Sequence, residues 1–183
     1  MKQTVRIIGG QYRGKKLHFP DIEGLRPTPD RIKETLFNWL MHDIRDARCL
    51  DAFAGSGALG FEAFSRGAKR VVLVESSPKA YNNLKQIASS FNTNCLQVVQ
   101  AKAEDYFQKT IECFDLVFLD PPFALKYLPQ CLDTLAHSNL LVNGGLVYIE
   151  SAEKPHLEPF VWQERKAKQA GNVYYGLYEK IIK

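Results

Sequence analysis

From residue 48 onward, short apolar runs alternate with stretches whose apolar residues recur at helical spacing, and this rhythm predicts a βα repeat. "RCLDAFA", "RVVLVE", "CLQVVQA", "FDLVFLD" and "LLVNGGLVYIES" read as five strands, the last with its start broken by an Asn143-Gly144 turn. "ALGFEAFSRG", "PKAYNNLKQIASSF", a short piece around 104–109 and the stretch 125–137 read as the helices between and after them. Pro78 opens the second of these, where a proline costs a helix least. Strands apolar on both faces and separated by helices imply a parallel sheet covered on both sides. "FVWQERKAKQAGNVYYGLYEKI" then gives two extended runs joined near Gly171-Asn172, an antiparallel hairpin for the sheet edge. Its tyrosines Tyr174, Tyr175 and Tyr178 are expected in packing. The sum is an α/β, Rossmann-like, mostly parallel seven-stranded sheet.

Before residue 48 the pattern differs. "TVRIIGGQYRGKKLHF" alternates like a small hairpin with two glycine breaks, and "RPTPDRIKETLFNWLM" starts a helix with Thr28 as N-cap and Pro29 at the first helical position. Ile32, Leu36, Trp39 and Leu40 fall on one helical face, which would dock this unit on the rest. The expected organisation is an N-terminal arm, 1–40, and a main domain, 41–183.

Charge adds a partner to this picture. Residues 1–33 hold eight Lys or Arg against three acids, while the whole chain carries only +4 at pH 7. A basic arm on a near-neutral body fits a polyanion, although charge alone fits a solvated surface as well. Composition excludes other classes. With 45% hydrophobic and 24% charged residues, the chain has the balance of a globule with a proper core. Its apolar runs fall short of a membrane helix, and the N-terminus lacks the apolar run of a secretory signal. Cys49, Cys95, Cys113 and Cys131 lie far apart with no C-x-x-C pair, so buried small hydrophobes are expected rather than disulfides or zinc ligands. Cytoplasmic location, no membrane partner and a monomer are the corresponding expectations.

Candidate chemistry sits at strand ends. Gly55-x-Gly57-x-x-Gly60 follows the first main-domain strand and opens a helix, and Glu75 closes the second strand. That context marks a nucleotide-cofactor loop, with Glu75, beside Ser76, accepting hydrogen bonds from ribose hydroxyls. Asp51 decides between cofactors. A carboxylate at the loop entrance repels the pyrophosphate of a dinucleotide but attracts the ammonium of S-adenosylmethionine, while the glycines let backbone approach the ligand. S-adenosyl-L-methionine is the expected cofactor, and no metal is required.

The fourth strand ends in Asp120-Pro121-Pro122-Phe123. Two prolines stop the ladder and stiffen the backbone at the ligand-binding edge of the sheet. Asp120 and the Pro121 carbonyl become fixed acceptors, and Phe123 an aromatic plate. Two acceptors and a plate suit the exocyclic amine of an extruded nucleobase. Holding both N–H hydrogens favours a pyramidal nitrogen whose lone pair points at the methyl group, and ionised Asp120 stabilises the charge developing there.

"RIIGGQYRGKKL", "LRPTPDRIKETLFNWL", "LDAFAGSGALGFEA" and "LDPPF", in this order and spacing, resemble the RsmD family of bacterial 16S ribosomal RNA guanine-N2 methyltransferases, within the class I S-adenosylmethionine enzymes, over nearly the whole chain. The resemblance implies methylation of one guanine N2 in the small subunit or a late assembly intermediate, with Arg6, Arg13, Lys15 and Lys16 of the arm on RNA backbone. Many relatives place an acid or amide near the cofactor's adenine amine. This chain has Lys102-Ala103 there, leaving the Ala103 N–H, Glu104 or Asp105 for that contact. Two alternatives stay open: an adenine-N6 or DNA amino-methyltransferase, since D-P-P-F does not name the base, and a non-catalytic RNA-binding assembly factor. A separate target-recognition insert would mark the first, and loss of the acidic positions the second; the chain has neither feature.

Overall fold

A computed structural model describes residues 3–122 and 124–182. Strands β1 (Gln3–Arg6) and β2 (Lys16–Phe19) pair antiparallel as the small hairpin, and α1 (Asp30–Trp39) follows. The main domain runs β3 (Arg48–Asp51), α2 (Ala58–Ser65), β4 (Arg70–Glu75), α3 (Pro78–Ser90), β5 (Leu96–Gln100), α4 (Ala103–Lys109), β6 (Phe114–Leu119), α5 (Ala124–His137), β7 (Leu141–Ser151), β8 (Trp162–Ala170) and β9 (Val173–Lys180). Seven strands form one sheet in the order β5-β4-β3-β6-β7-β9-β8, the first five parallel and β9 antiparallel to both neighbours. No helix among the described residues is long and apolar enough to cross a membrane.

Alternation along each strand sends one set of side chains to each face. Cys49, Leu73, Phe118 and Tyr148 pack toward α1, α2 and α3 with Leu36, Phe61 and Leu84. Leu50, Val72, Val117 and Ile149 pack toward α4 and α5 with Phe107, Leu128 and Leu135. The arm belongs to the first of these cores through Ile7, Leu17, Ile32, Leu36 and Leu40, all buried. Each fully buried aliphatic side chain contributes roughly 1.5–3 kcal/mol to this anchoring. Trp39 stacks on Tyr175, 5.4 Å between ring centres, and ties α1 to β9. Tyr174, Tyr175 and Tyr178 are all buried, so the hairpin aromatics do pack.

Two elements depart from the sequence pattern. Helix α1 begins one residue late: Pro29 is its N-cap in extended backbone (φ −58, ψ 148), and the cap has no side-chain hydrogen bond. Thr28, expected to cap, is instead buried one residue further out, because Pro29 itself takes the extended ψ of 148 and so lies outside the helix. The Asn143-Gly144 pair does not break β7 either. The strand stays continuous while its pairing with β6 skips from Leu141 to Leu146, so the intervening residues bulge from the ladder. Cys49 and Cys131 are buried as expected, whereas Cys95 and Cys113 are only half-buried; all four are free thiols. Edge strand β8 exposes Glu164, Arg165, Lys166 and Lys168, charges that discourage pairing with another chain.

Candidate active site

The sheet reverses its winding between β3 and β6, which neighbour each other although three helices and two strands separate them in sequence. At such a switch point the carboxyl ends of the strands leave a crevice. Asp51 ends β3 and Asp120 directly follows β6, so the crevice is flanked by two carboxylates. Two more extend the row. Glu75 lies two residues beyond Leu73, and Glu150 two beyond Tyr148, on the same face as Asp51 and Asp120. Four adjacent strands thus present four carboxylates to one face of one edge.

Their surroundings differ. Asp51 is 2% exposed and accepts from the Gly60 N–H at 3.0 Å, and from the Phe53 backbone as well. Burial, and then the nearby Glu75 charge, push its carboxyl up to about 7 against the Gly60 hydrogen bond. Glu75 is half-buried and accepts from Gly55 N–H at 2.8 Å and from Ser77 N–H at 3.0 Å, linking the glycine loop to the start of α3. Asp120 makes no hydrogen bond among the described residues. Burial, then the Glu150 and Asp51 charges, hold it well above the usual carboxylate range. Glu150 is raised by burial, with the Tyr148 hydroxyl donating to its Oε2 at 2.9 Å and working the other way. Among the described residues no Lys or Arg pairs with any of the four.

The glycine loop is shaped for close approach. Gly57 sits at φ +82, and a Cβ there would meet the Phe61 ring at 2.3 Å, so only glycine lets the turn lie flat on α2. Ser56 is buried and accepts from the Ala58 N–H. Leu25, from the segment after β2, lies over Gly55, bringing the arm to the rim of the crevice. Ser76 is exposed beside Glu75, and buried Ala103 is the first residue of α4, after the adjacent strand β5. Pro121 is buried and Pro122 exposed at the end of β6, while Phe123, expected as the aromatic plate, lies outside the described residues.

The arm's cations are not equivalent. The Arg6↔Lys16 pair shares the exposed face of the hairpin with His18 and Thr4, while Val5 and Leu17 point inward. Arg6 also meets Asp30 at 3.5 Å. Arg13 is exposed in the connection between the strands. Lys15 turns back onto the body, its Nζ 4.0 Å from the centre of the Phe91 ring.

Glu150 and Tyr148 were not singled out from the sequence. The signal was present, since "VYIE" ends an apolar strand in an acid just as "VLVE" and "VFLD" do.

Residues 5–179 match the model of a protein family described as Conserved hypothetical protein 95. The chain is 44% identical over 183 residues to "Ribosomal RNA small subunit methyltransferase D" of Haemophilus influenzae, covering 97% of this chain and 95% of that one. Against the protein of the same name from Escherichia coli K12 it is 42% identical over 178 residues, covering 96% and 90%. A solved structure described as a putative methyltransferase yhhF from Escherichia coli superposes with a TM-score of 0.90 at 38% identity, covering 98% of this chain and 99% of that chain. With the Rossmann-like sheet and the acidic crevice at its switch point, these matches make the chain a member of the ribosomal RNA small subunit methyltransferase D (RsmD) family.

Proposed function

We propose that this protein transfers a methyl group from S-adenosyl-L-methionine to the exocyclic N2 amine of one guanine in 16S ribosomal RNA, presented by the small subunit or a late assembly intermediate. The observation that carries this reading is the row of carboxylates at the switch point, unaccompanied by any paired cation among the described residues. Such an edge fits a cationic, phosphate-free cofactor and repels a pyrophosphate. S-adenosylmethionine, when bound, supplies an electrophilic methyl on its sulfonium.

The chain's own residues supply the rest. Each oxygen of Glu75 already accepts one backbone N–H and keeps a second lone pair for a ribose hydroxyl. Gly55 and Gly57 let the loop backbone lie against the ligand, and Ser76 and the Ala103 N–H border the adenine end. Asp51 is sealed beneath the loop, so it acts on the ammonium as a buried negative charge while its Gly60 bond holds the turn. Asp120 and the Pro121 carbonyl accept the two N–H hydrogens of the target amine, and Phe123 stacks on the base. Asp120 stabilises charge developing on the nitrogen and takes the proton that leaves it, a task suited to a carboxyl whose proton affinity is already raised. Arg6, Arg13 and Lys16 hold RNA backbone from the exposed arm; Lys15, resting on Phe91, joins them from the body's side. The protein works in the cytoplasm as a monomer.

The test separates binding from transfer. Asp120→Ala is expected to bind S-adenosylmethionine within a few-fold of wild type by calorimetry while losing roughly 10²–10⁴-fold in methyl transfer to undermethylated small subunits. Undiminished transfer removes Asp120 from the mechanism.

A further inference from the structure

Of the four carboxylates on the crevice, two are committed to backbone and two are not. Asp51 and Glu75 accept from the glycine loop and its neighbours. Asp120 has no hydrogen bond among the described residues, and the one hydrogen bond to Glu150 there is from Tyr148 to Oε2, which leaves Oε1 open. The last pair of the ladder is Leu119 with Ile149, so Asp120 and Glu150 follow directly beyond it, each close enough to feel the other's charge. Both point to the face of Phe118 and Tyr148. Tyr148 is fully buried and packs edge-on against Phe118, so its hydroxyl is a fixed donor that orients the Glu150 carboxylate.

We infer that Glu150 is the residue that selects guanine, its open oxygen accepting the ring N1–H while Asp120 accepts from the N2 amine. The inference rests on the methyl-transfer reading above and adds the base specificity that the Asp-Pro-Pro-Phe motif does not carry. Only one base fits a pair of side-by-side acceptors in this way. Guanine presents N1–H and the N2 amine as adjacent donors. Adenine sets a bare N1 lone pair beside its amine, and cytosine a bare N3, and either would face the Glu150 oxygen with like charge. A site built for a donor rejects an analogue lacking it because a buried acceptor is then left unpaired. Burial and the facing charge hold Asp120 well above the usual carboxylate range, so N–H donors arriving at this pair relieve a repulsion that the free protein carries.

The experiment uses reconstituted small subunits in which the accepting guanine, once mapped by mass spectrometry of RNA fragments, is replaced by 2-aminopurine. That base keeps the N2 amine and presents a bare N1. Wild-type enzyme is expected to methylate it roughly tenfold to a hundredfold more slowly than guanine. In Glu150→Gln the Tyr148 hydroxyl holds the amide oxygen, which turns the amide nitrogen toward the base as a donor. The variant therefore slows on guanine and gains on 2-aminopurine, so that the preference narrows or inverts. Adding Tyr148→Phe releases the amide and removes that gain. Equal wild-type rates on the two bases overturn the inference, as does a Glu150→Gln variant that slows on both with the ratio unchanged. If wild type makes no N2-methylguanosine on unmodified subunits, the methyl-transfer reading itself has failed, and this is seen before any variant is examined.

Discussion

Asp51 and Glu75 lie on one face of one sheet edge, yet burial gives them different work. Asp51 is sealed beneath the loop and its carboxyl is pushed up to about 7. Its folded value lies above the ordinary aspartate value near 4, so the protonated form contributes stability at low pH that is lost as pH rises from about 4 to about 7. The melting temperature of the ligand-free protein minus that of Asp51→Asn is therefore expected to fall between about pH 4 and about pH 7 and to level off above. A difference that stays flat, or rises, would place the Asp51 titration elsewhere. At this scale Asp51, Glu75 and Asp120 were legible because each closes an apolar run. Glu150 carries the same signature but lacks a glycine loop or a proline pair behind it, and its partner Tyr148 is recognisable only once β7 is placed beside β6. The buried charges of the arm were hidden more deeply. Lys33 counts as one of the arm's cations, yet it stands three residues before Leu36 on the docking face of α1, is fully buried and donates to the Arg6 carbonyl at 2.7 Å, a contact 27 residues away in sequence.

The arm hairpin shows how two glycines with similar backbone can differ in consequence. Gly10 (φ +80) lies where the hairpin crosses α2: Gln11 N–H donates to the Ser65 carbonyl at 2.8 Å, and Tyr12 N–H to Ser65 Oγ at 2.9 Å. A Cβ on Gly10 would stand 2.0 Å from that same carbonyl oxygen, whereas one on Gly14 (φ +89) would meet nothing within 4 Å. Gly14→Ala then costs only the left-handed backbone penalty, roughly 1–2 kcal/mol. Gly10→Ala adds overpacking and lost hydrogen bonds, for at least ~3 kcal/mol in all. Urea unfolding of the two variants checks this, and equal losses would mean that the α2 contact is not what fixes the hairpin. The sequence marked these glycines as breaks; that one break is a docking point depends on Ser65, more than fifty residues on. Helix α1 and strand β7 differ in detail from the sequence pattern. Pro29 takes an extended ψ and becomes the cap itself, and the Asn143-Gly144 residues are taken up as a bulge because β6 continues to pair on either side of them.

At the scale of the molecule, the order of apolar runs was sufficient to predict a parallel sheet with an antiparallel C-terminal hairpin, and five parallel strands followed by β9 and β8 are what forms. Strand order was not readable from periodicity, yet it places the switch point between β3 and β6 and so brings Asp51 next to Asp120. The arm shares the core of the main domain and reaches the glycine loop through Leu25, so a substrate held on Arg13 and Lys16, as proposed, would be held by a packed extension of the crevice and not by a loose tether. Such an assembly is expected to position one base of a large, structured RNA. The measurement that tests this most directly is methyl transfer from labelled S-adenosylmethionine to undermethylated small ribosomal subunits, followed by nucleoside analysis of the product. N2-methylguanosine, at about one methyl per subunit, is the expected product; methyladenosine, or no labelled nucleoside at all, would contradict this reading.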